Sequence, residues 1–352
     1  MYNIFTRTII RQKLRGHLPK YFPQVQVAQQ NSVSVEKKND KSNKVSNIKK
    51  YWHTKIFSYL EKYENALEKK FPKTMKLYRV FSIGTKEFIK DFYKYTTLVR
   101  KYTKNGPGSL SLEEMNLIYQ MPKDIARMTP VLIISAIPFT NYIILPLAFY
   151  YPRLLLSSHY WTFEQKLEFM LLDQKRRLKH NRPLFRCVQA ELDSIKDASL
   201  KMKWSDVTAA LGSGTHPKTE DILLCIDLFK GPPYSLQHLK HKHLIHLTGI
   251  HDLSLWRPFK RKALLKRCFI LKQMDFAIKE EGGPNKMSSE AVRKAVSLRG
   301  VNPTNMSMES MQDYLNKWIT ISDKVDRTTA SLLLHAPILL AYNHPNNWLL
   351  IY

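Results

Sequence analysis

Cysteine is nearly missing from this 352-residue chain. Its three copies, Cys187, Cys225 and Cys268, are odd in number and far apart, so they frame neither a disulfide scaffold nor a zinc knuckle and suit a reducing compartment. Catalytic signatures are missing too. There is no Gly-x-Ser-x-Gly elbow, no glycine-rich phosphate loop, no Cys-x-x-Cys and no acid/base pair that spacing singles out. The chain is therefore expected to be a non-enzymatic binding protein with no cofactor, no bound metal and no small-molecule substrate. Strand-like alternation persists nowhere, which predicts an all-α fold. Acidic side chains are also short, with 29 Asp and Glu against 56 Lys and Arg, a formal charge of +27. Such a balance points to an anionic partner, either RNA, anionic lipid or both. Residues 1–129 carry 26 basic and 10 acidic side chains, leaving 30 and 19 for the remainder, so the first third is the more basic per residue.

Charge vanishes altogether from Val131 to Tyr151, 21 residues without Asp, Glu, Lys, Arg or His. At about 1.5 Å per residue, a helix of that length covers roughly the 30 Å of a bilayer's hydrocarbon, so 131–151 is expected to be a single transmembrane helix. Arg127 and Arg153 flank it, and Phe149, Tyr150 and Tyr151 gather where rings prefer the headgroup level. Pro138 and Pro146 leave the carbonyls of Ile134 and Tyr142 needing other partners, which Ser135, Thr140 and Asn141 are close enough to supply. The competing reading is a buried helix of a soluble core.

Residues 1–35 contain no acidic residue, and Arg7, Arg11, Lys13 and Arg15 alternate with Ile4, Phe5, Ile9, Ile10 and Leu14. That pattern predicts a mitochondrial targeting presequence, against the alternative of a disordered basic tail. A polar linker, 36–47, leads to a helical region over 48–104, expected to form a hairpin or coiled coil. There Phe81, Phe88, Tyr95 and Tyr102 stand seven apart, as in a packing seam. Gly106-Pro107-Gly108 ends it, and Ser111 with Glu114 forms a capping box for a pre-membrane helix within 110–130.

Beyond the uncharged run, 152–343 reads as one helical domain, with 344–352 as a tail. Helix breaks fall at Gly212-Ser213-Gly214 and His216-Pro217. His238, His241, His243, His246 and His251 could put two or three imidazoles on one face, but without nearby carboxylates or cysteines they read as partly exposed histidines on a basic helix rather than a metal site. The stretch WRPFKRKALLKRCFILKQMDFA, 256–277, sets Arg257, Lys260, Arg261, Lys262, Lys266 and Arg267 against Leu264, Leu265, Phe269, Ile270 and Met274. Those six cations are the candidate phosphate contacts, the alternative being a solvated face. Met287-Ser288-Ser289-Glu290 recurs as Met306-Ser307-Met308-Glu309 around Arg299-Gly300-Val301-Asn302-Pro303, predicting a helix–link–helix module of two serine-capped helices. Ser331–Ala341 is apolar but too short to span, so it should pack on the protein or lie at an interface.

Several short motifs now fall into a specific order. They are Leu110-Ser111-Leu112-Glu113-Glu114 before the uncharged run, Pro138-Phe139 and Pro146 inside it, and Pro152-Arg153, Leu155-Leu156-Ser157 and His159-Tyr160-Trp161 after it. Ile278 to Gly283, Leu298-Arg299-Gly300 and Trp318 follow. On these residues the chain resembles the LETM family of mitochondrial inner-membrane proteins over roughly 110–343. The resemblance implies a single-pass inner-membrane protein with a helical ribosome-binding-like domain in the matrix. It further implies mitochondrial ribosomes or their rRNA, with inner-membrane lipids, as partners; homo-oligomerisation stays open. Longer relatives are associated with K⁺/H⁺ or Ca²⁺/H⁺ exchange, the alternative function. This chain lacks an Asp-x-Asp-x-Asp-Gly loop and any ionisable side chain in the uncharged run, so ribosome binding ranks first. Charge does not orient the run, because 111–130 and 152–171 carry two basic side chains each.

Overall fold

The computed structural model describes residues 72–137 and 140–351, which form fourteen α-helices and, among the described residues, no strand. The expected presequence, the linker and the first part of the 48–104 region lie outside the described residues. Contacts divide the chain into Met1–Met75 and Lys76–Tyr352, and the second unit carries the architecture below.

Helix α1, Pro72–Asn105, is 34 residues long. Phe81, Phe88, Tyr95 and Tyr102 are all half-buried, as their heptad spacing predicts for a seam. Phe81 and Phe88 meet the Tyr160 and His159 rings at 5.4 and 5.6 Å, and the Tyr102 hydroxyl pairs with Gln273. Gly84 belongs to the same face: a Cβ there would come within 2.8 Å of the Tyr160 ring. Gly106, at φ +80°, ends this long helix. Helix α2, Leu112–Ser135, opens on the predicted capping box, with Glu114 N–H donating to Ser111 Oγ at 3.2 Å and Ser111 N–H donating to Glu114 Oε2 at 3.1 Å.

The expected single membrane helix over 131–151 is not what forms. Helix α2 stops at Ser135, α3 runs from Asn141 to Tyr150, and no helix among the described residues is long and apolar enough to cross a membrane. The physical reason lies in Pro138, which has no N–H to continue the ladder and disfavours helical backbone at Ile137. The carbonyls stranded at the break are taken up locally, Ile134 O and Ile137 O both accepting from the Thr140 hydroxyl. Ile144 and Ala148 of α3 then pack with Met128 and Val131 of α2, in a cluster with Leu156 and Tyr160. Helix α3 therefore folds back along α2. A four-residue helix, α4 (Pro152–Leu155), returns the chain to the base.

Ten further helices build the domain: α5 (Phe163–Leu178), α6 (Asn181–Gln189), α7 (Ala198–Gly212), α8 (Thr219–Leu224), α9 (His241–Ile250), α10 (Lys260–Glu280), α11 (Ser289–Leu298), α12 (Met308–Lys324), α13 (Ala330–Ala341) and α14 (Pro345–Ile351). They wrap α13, whose twelve residues are all buried. A helix apolar on every side needs such a jacket, and each enclosed leucine or isoleucine stabilises the fold by about 2 kcal/mol. The stretch 344–352, read as a tail, includes α14. Its fully buried Asn347 accepts from Asn302 N–H at 2.9 Å and donates to Gly300 O at 3.1 Å.

The repeated Met-Ser motifs form the expected caps, Ser288 Oγ accepting from Ala291 N–H and Ser307 Oγ from Ser310 N–H. Between α11 and α12, Gly300 has φ +101°, and a Cβ there would sit 2.9 Å from Pro337 Cβ. Beneath this link lies a buried ion pair. Arg299 Nη2 donates to Asp275 Oδ1 at 2.5 Å, while Trp318 Nε1 and Ser322 Oγ occupy Asp275 Oδ2 at 3.1 and 2.6 Å. The Tyr314 hydroxyl donates to Arg299 O at 2.8 Å. Every partner in this set converges on one carboxylate or its arginine, so α10, α11 and α12 are fixed to each other.

Candidate anion-binding surface

Helix α10 positions most of the cations predicted from sequence. Leu264, Cys268, Leu271, Met274 and Ile278 are buried in the core, which turns Lys262 and Lys266 outward. Arg257 and Arg261 are also exposed, and Lys260 is half-buried. Arg261 is anchored as well as exposed, donating from Nε to Leu236 O at 3.1 Å and from Nη2 to Leu239 O at 3.0 Å. Lys260 Nζ donates to Arg257 O at 3.3 Å, tying helix to loop.

Arg267 corrects the sequence reading. It is 2% exposed, with its guanidinium 4.5 Å from the Tyr119 ring centroid and Nη2 donating weakly to Leu298 O at 3.5 Å. Leu298 O also accepts from buried Arg177, which donates further to Ile250 O and Ser297 O, both at 2.7 Å. Two arginines thus serve the last carbonyls of α11, where the helix dipole favours positive charge. Arg267 holds elements together, and its burial, with Nε and Nη1 buried and unpaired, keeps it from a phosphate in solution.

The loop before α10 adds a feature that reading by charge missed. Trp256 is 95% exposed and Phe259 73%, and Phe259 adopts φ +55°, a left-handed conformation that bulky side chains avoid. Lys262 Nζ sits 5.4 Å from the Phe259 ring centroid. The loop's other end is fixed by Asp252, which bridges Lys123 of α2 at 3.1 Å and Arg176 of α5 at 2.6 Å. Burial pushes the Asp252 carboxyl up, but Lys123 and Arg177 outweigh it and hold the group below its ordinary range. A signal for the aromatics did exist in sequence: Trp256 and Phe259 flank Arg257-Pro258 and lie outside the apolar register of α10.

The expectation of partly exposed histidines holds for His238 and His241, which are exposed, and for His246, but not for the other two. His243 and His251 are buried beside α13, while His246 is half-buried 3.2 Å from His180. His335 Nδ1–H donates to Ser331 O at 2.7 Å, so its Nε2 accepts from His243 Nε2–H at 2.7 Å. Among the described residues, no group of three or more His, Cys, Asp or Glu could hold a metal ion.

The loop and the start of α10 thus bring exposed cations, Arg261 among them anchored, together in sequence with an exposed indole, chemistry suited to phosphates and to the flat faces of bases. A family model described as "LETM1-like, RBD" matches residues 110–339, well over half of the chain. The chain is 28% identical over 288 residues to LETM1 domain-containing protein 1 of Xenopus tropicalis, covering 81% of this chain and 82% of that protein. It is likewise 28% identical over 304 residues to the protein of that name from Homo sapiens, covering 85% and 84%. No solved structure matches.

Proposed function

Because this chain belongs to the LETM1-like RBD family, we propose that it is a membrane-attached mitochondrial protein whose helical domain docks on mitochondrial ribosomes through Arg257, Lys260, Arg261, Lys262 and Lys266. In this reading it is an inner-membrane protein with the domain facing the matrix, and it supports membrane-protein biogenesis, mitochondrial organisation and respiratory function. One observation carries the assignment of the surface: an indole 95% exposed is followed within ten residues by five cations that are exposed or half-buried. An indole so placed loses little on folding and gains on binding, since stacking on a base is worth about 1–3 kcal/mol. The lysines and arginines supply the sequence-independent attraction to rRNA phosphates.

Co-sedimentation of the full chain with mitochondrial ribosomes, at low and high salt, tests this. Arg257→Ala, Lys260→Ala, Lys262→Ala and Lys266→Ala together should weaken binding and flatten its salt dependence, by about 0.7 to 0.9 in log–log slope per phosphate contact removed. Trp256→Ala should weaken binding while leaving the slope intact. Unchanged comigration of the quadruple variant would overturn the assignment. A chain that fails to sediment with ribosomes yet carries cation flux in liposomes would transfer the function to exchange.

A further inference from the structure

We propose that α3 and the end of α2 form a re-entrant hairpin, which dips into one leaflet of a lipid bilayer and leaves on the side it entered. The base of the hairpin carries the argument. Ser157 N–H lies 3.4 Å from Met128 Sδ, and Ser158 N–H donates to Asp124 Oδ1 at 3.4 Å. Arg127, before the uncharged run, holds its guanidinium 5.2 Å from the ring centroid of Trp161, after the run. Two flanks in contact occupy the same side of any membrane.

The arms have the right length and chemistry for half a bilayer. Ten residues of α3 rise about 15 Å, against roughly 30 Å of hydrocarbon. Ile133 is 64% exposed and Ile143 73%, within a run without Asp, Glu, Lys, Arg or His. The Ser135 and Thr140 hydroxyls are turned onto nearby backbone, Ser135 Oγ donating to Leu132 O at 3.0 Å and Thr140 Oγ1 to Ile137 O at 2.7 Å. Those two hydroxyls therefore need no water, as hydrocarbon requires. Trp161, facing Arg127, donates from Nε1 to Pro152 O at 3.1 Å, and Tyr150, 79% exposed, and Arg153 lie within two residues of Pro152, side chains suited to the headgroup level. An aqueous surface would leave this apolar face unpaired, and a single-pass helix would have to tear Ile144 and Ala148 from Met128 and Val131. The occupant is therefore acyl chain.

This inference rests on the membrane attachment proposed above and not on ribosome binding, and one preparation separates the two. The full chain carrying Lys104→Cys, Lys166→Cys and Cys187→Ser is reconstituted into phosphatidylcholine/phosphatidylglycerol vesicles and floated, then treated with a membrane-impermeant maleimide. Both lysines are exposed, and Cys225 and Cys268 are fully buried and stay unlabelled. A re-entrant path yields molecules labelled twice or not at all, whatever their orientation. A chain labelled once per molecule crosses the bilayer, which overturns the hairpin while leaving attachment standing. Failure to float overturns both. Ile133→Asp with Ile143→Asp should lower the floated fraction at least tenfold, and an undiminished fraction would place the arms outside lipid.

Discussion

Mild acid should destabilise this domain through three buried imidazoles. His243, His251 and His335 touch the buried helix α13 or belong to it, and burial pulls them down to about 2, about 3 and about 4; neighbouring His335 adds to the effect on His243 and Arg267 to that on His251. The unfolded chain binds protons at these sites near pH 6.5. Between about pH 6.5 and pH 4 it therefore holds more protons than the fold, so stability is fully present above the unfolded value and declines as pH falls. Each histidine then loses about 1.4 kcal/mol per pH unit, and from pH 7.5 to 5.5 the three together lose about 4 kcal/mol. For a domain of this size that lowers the melting midpoint by roughly 10 °C. Structure supplies the mechanism: protonating His335 at Nε2 sets its N–H against the His243 Nε2–H across the 2.7 Å contact, while a proton on His243 enters at Nδ1 as an uncompensated buried charge. Far-UV circular dichroism melts of the full chain in detergent micelles at the two pH values measure the shift. Midpoints agreeing within about 2 °C would refute the reasoning, because carboxylates titrate mainly below this window.

Other perturbations probe separate contacts. Asp275→Ala strands Arg299 in the core and removes the acceptor of Trp318 and Ser322, so it should cost about 3–5 kcal/mol in denaturant unfolding. Gly300→Ala meets Pro337 Cβ at 2.9 Å with φ +101°, and about 1–3 kcal/mol of destabilisation is expected by the same assay. Ser111→Ala removes the α2 cap, worth about 1 kcal/mol, and should raise amide exchange in the first turn of α2 while leaving α10 protected.

Local chemistry made much of this fold legible. The caps at Ser111, Ser288 and Ser307, the turn at Gly300 and the seam of Phe81, Phe88, Tyr95 and Tyr102 each depend on residues a few positions apart. What stayed hidden depends on distant partners. Arg267 lies three residues beyond Leu264 and four before Leu271, so its register already put it on the apolar face; its charge suggested otherwise. The Tyr119 ring and the Leu298 carbonyl make that burial tolerable, and both come from other helices. Pro138 marked a break in the uncharged run, but the direction taken after it is set by Ile144 and Ala148 finding Met128 and Val131. Exposure of Trp256 had only the signal of its place outside the apolar register of α10, which charge overshadowed, since tryptophan in a basic stretch serves a core as readily as a surface.

The two most apolar segments show how chemistry separates a core helix from a lipid-facing one where hydropathy does not. Helix α13 carries a polar group whose partner is remote: His335 needs Ser331 on one side and His243, 92 residues earlier, on the other. Transferred to hydrocarbon without His243, that ring nitrogen would lose its partner at a cost of several kcal/mol, so α13 is committed to protein. The α2–α3 arms reverse the arrangement. Ser135 and Thr140 find acceptors within six residues, while Ile133 and Ile143 find no protein neighbour to cover them. A segment that closes its polar accounts within itself is free to meet lipid, and one that closes them through distant side chains is not.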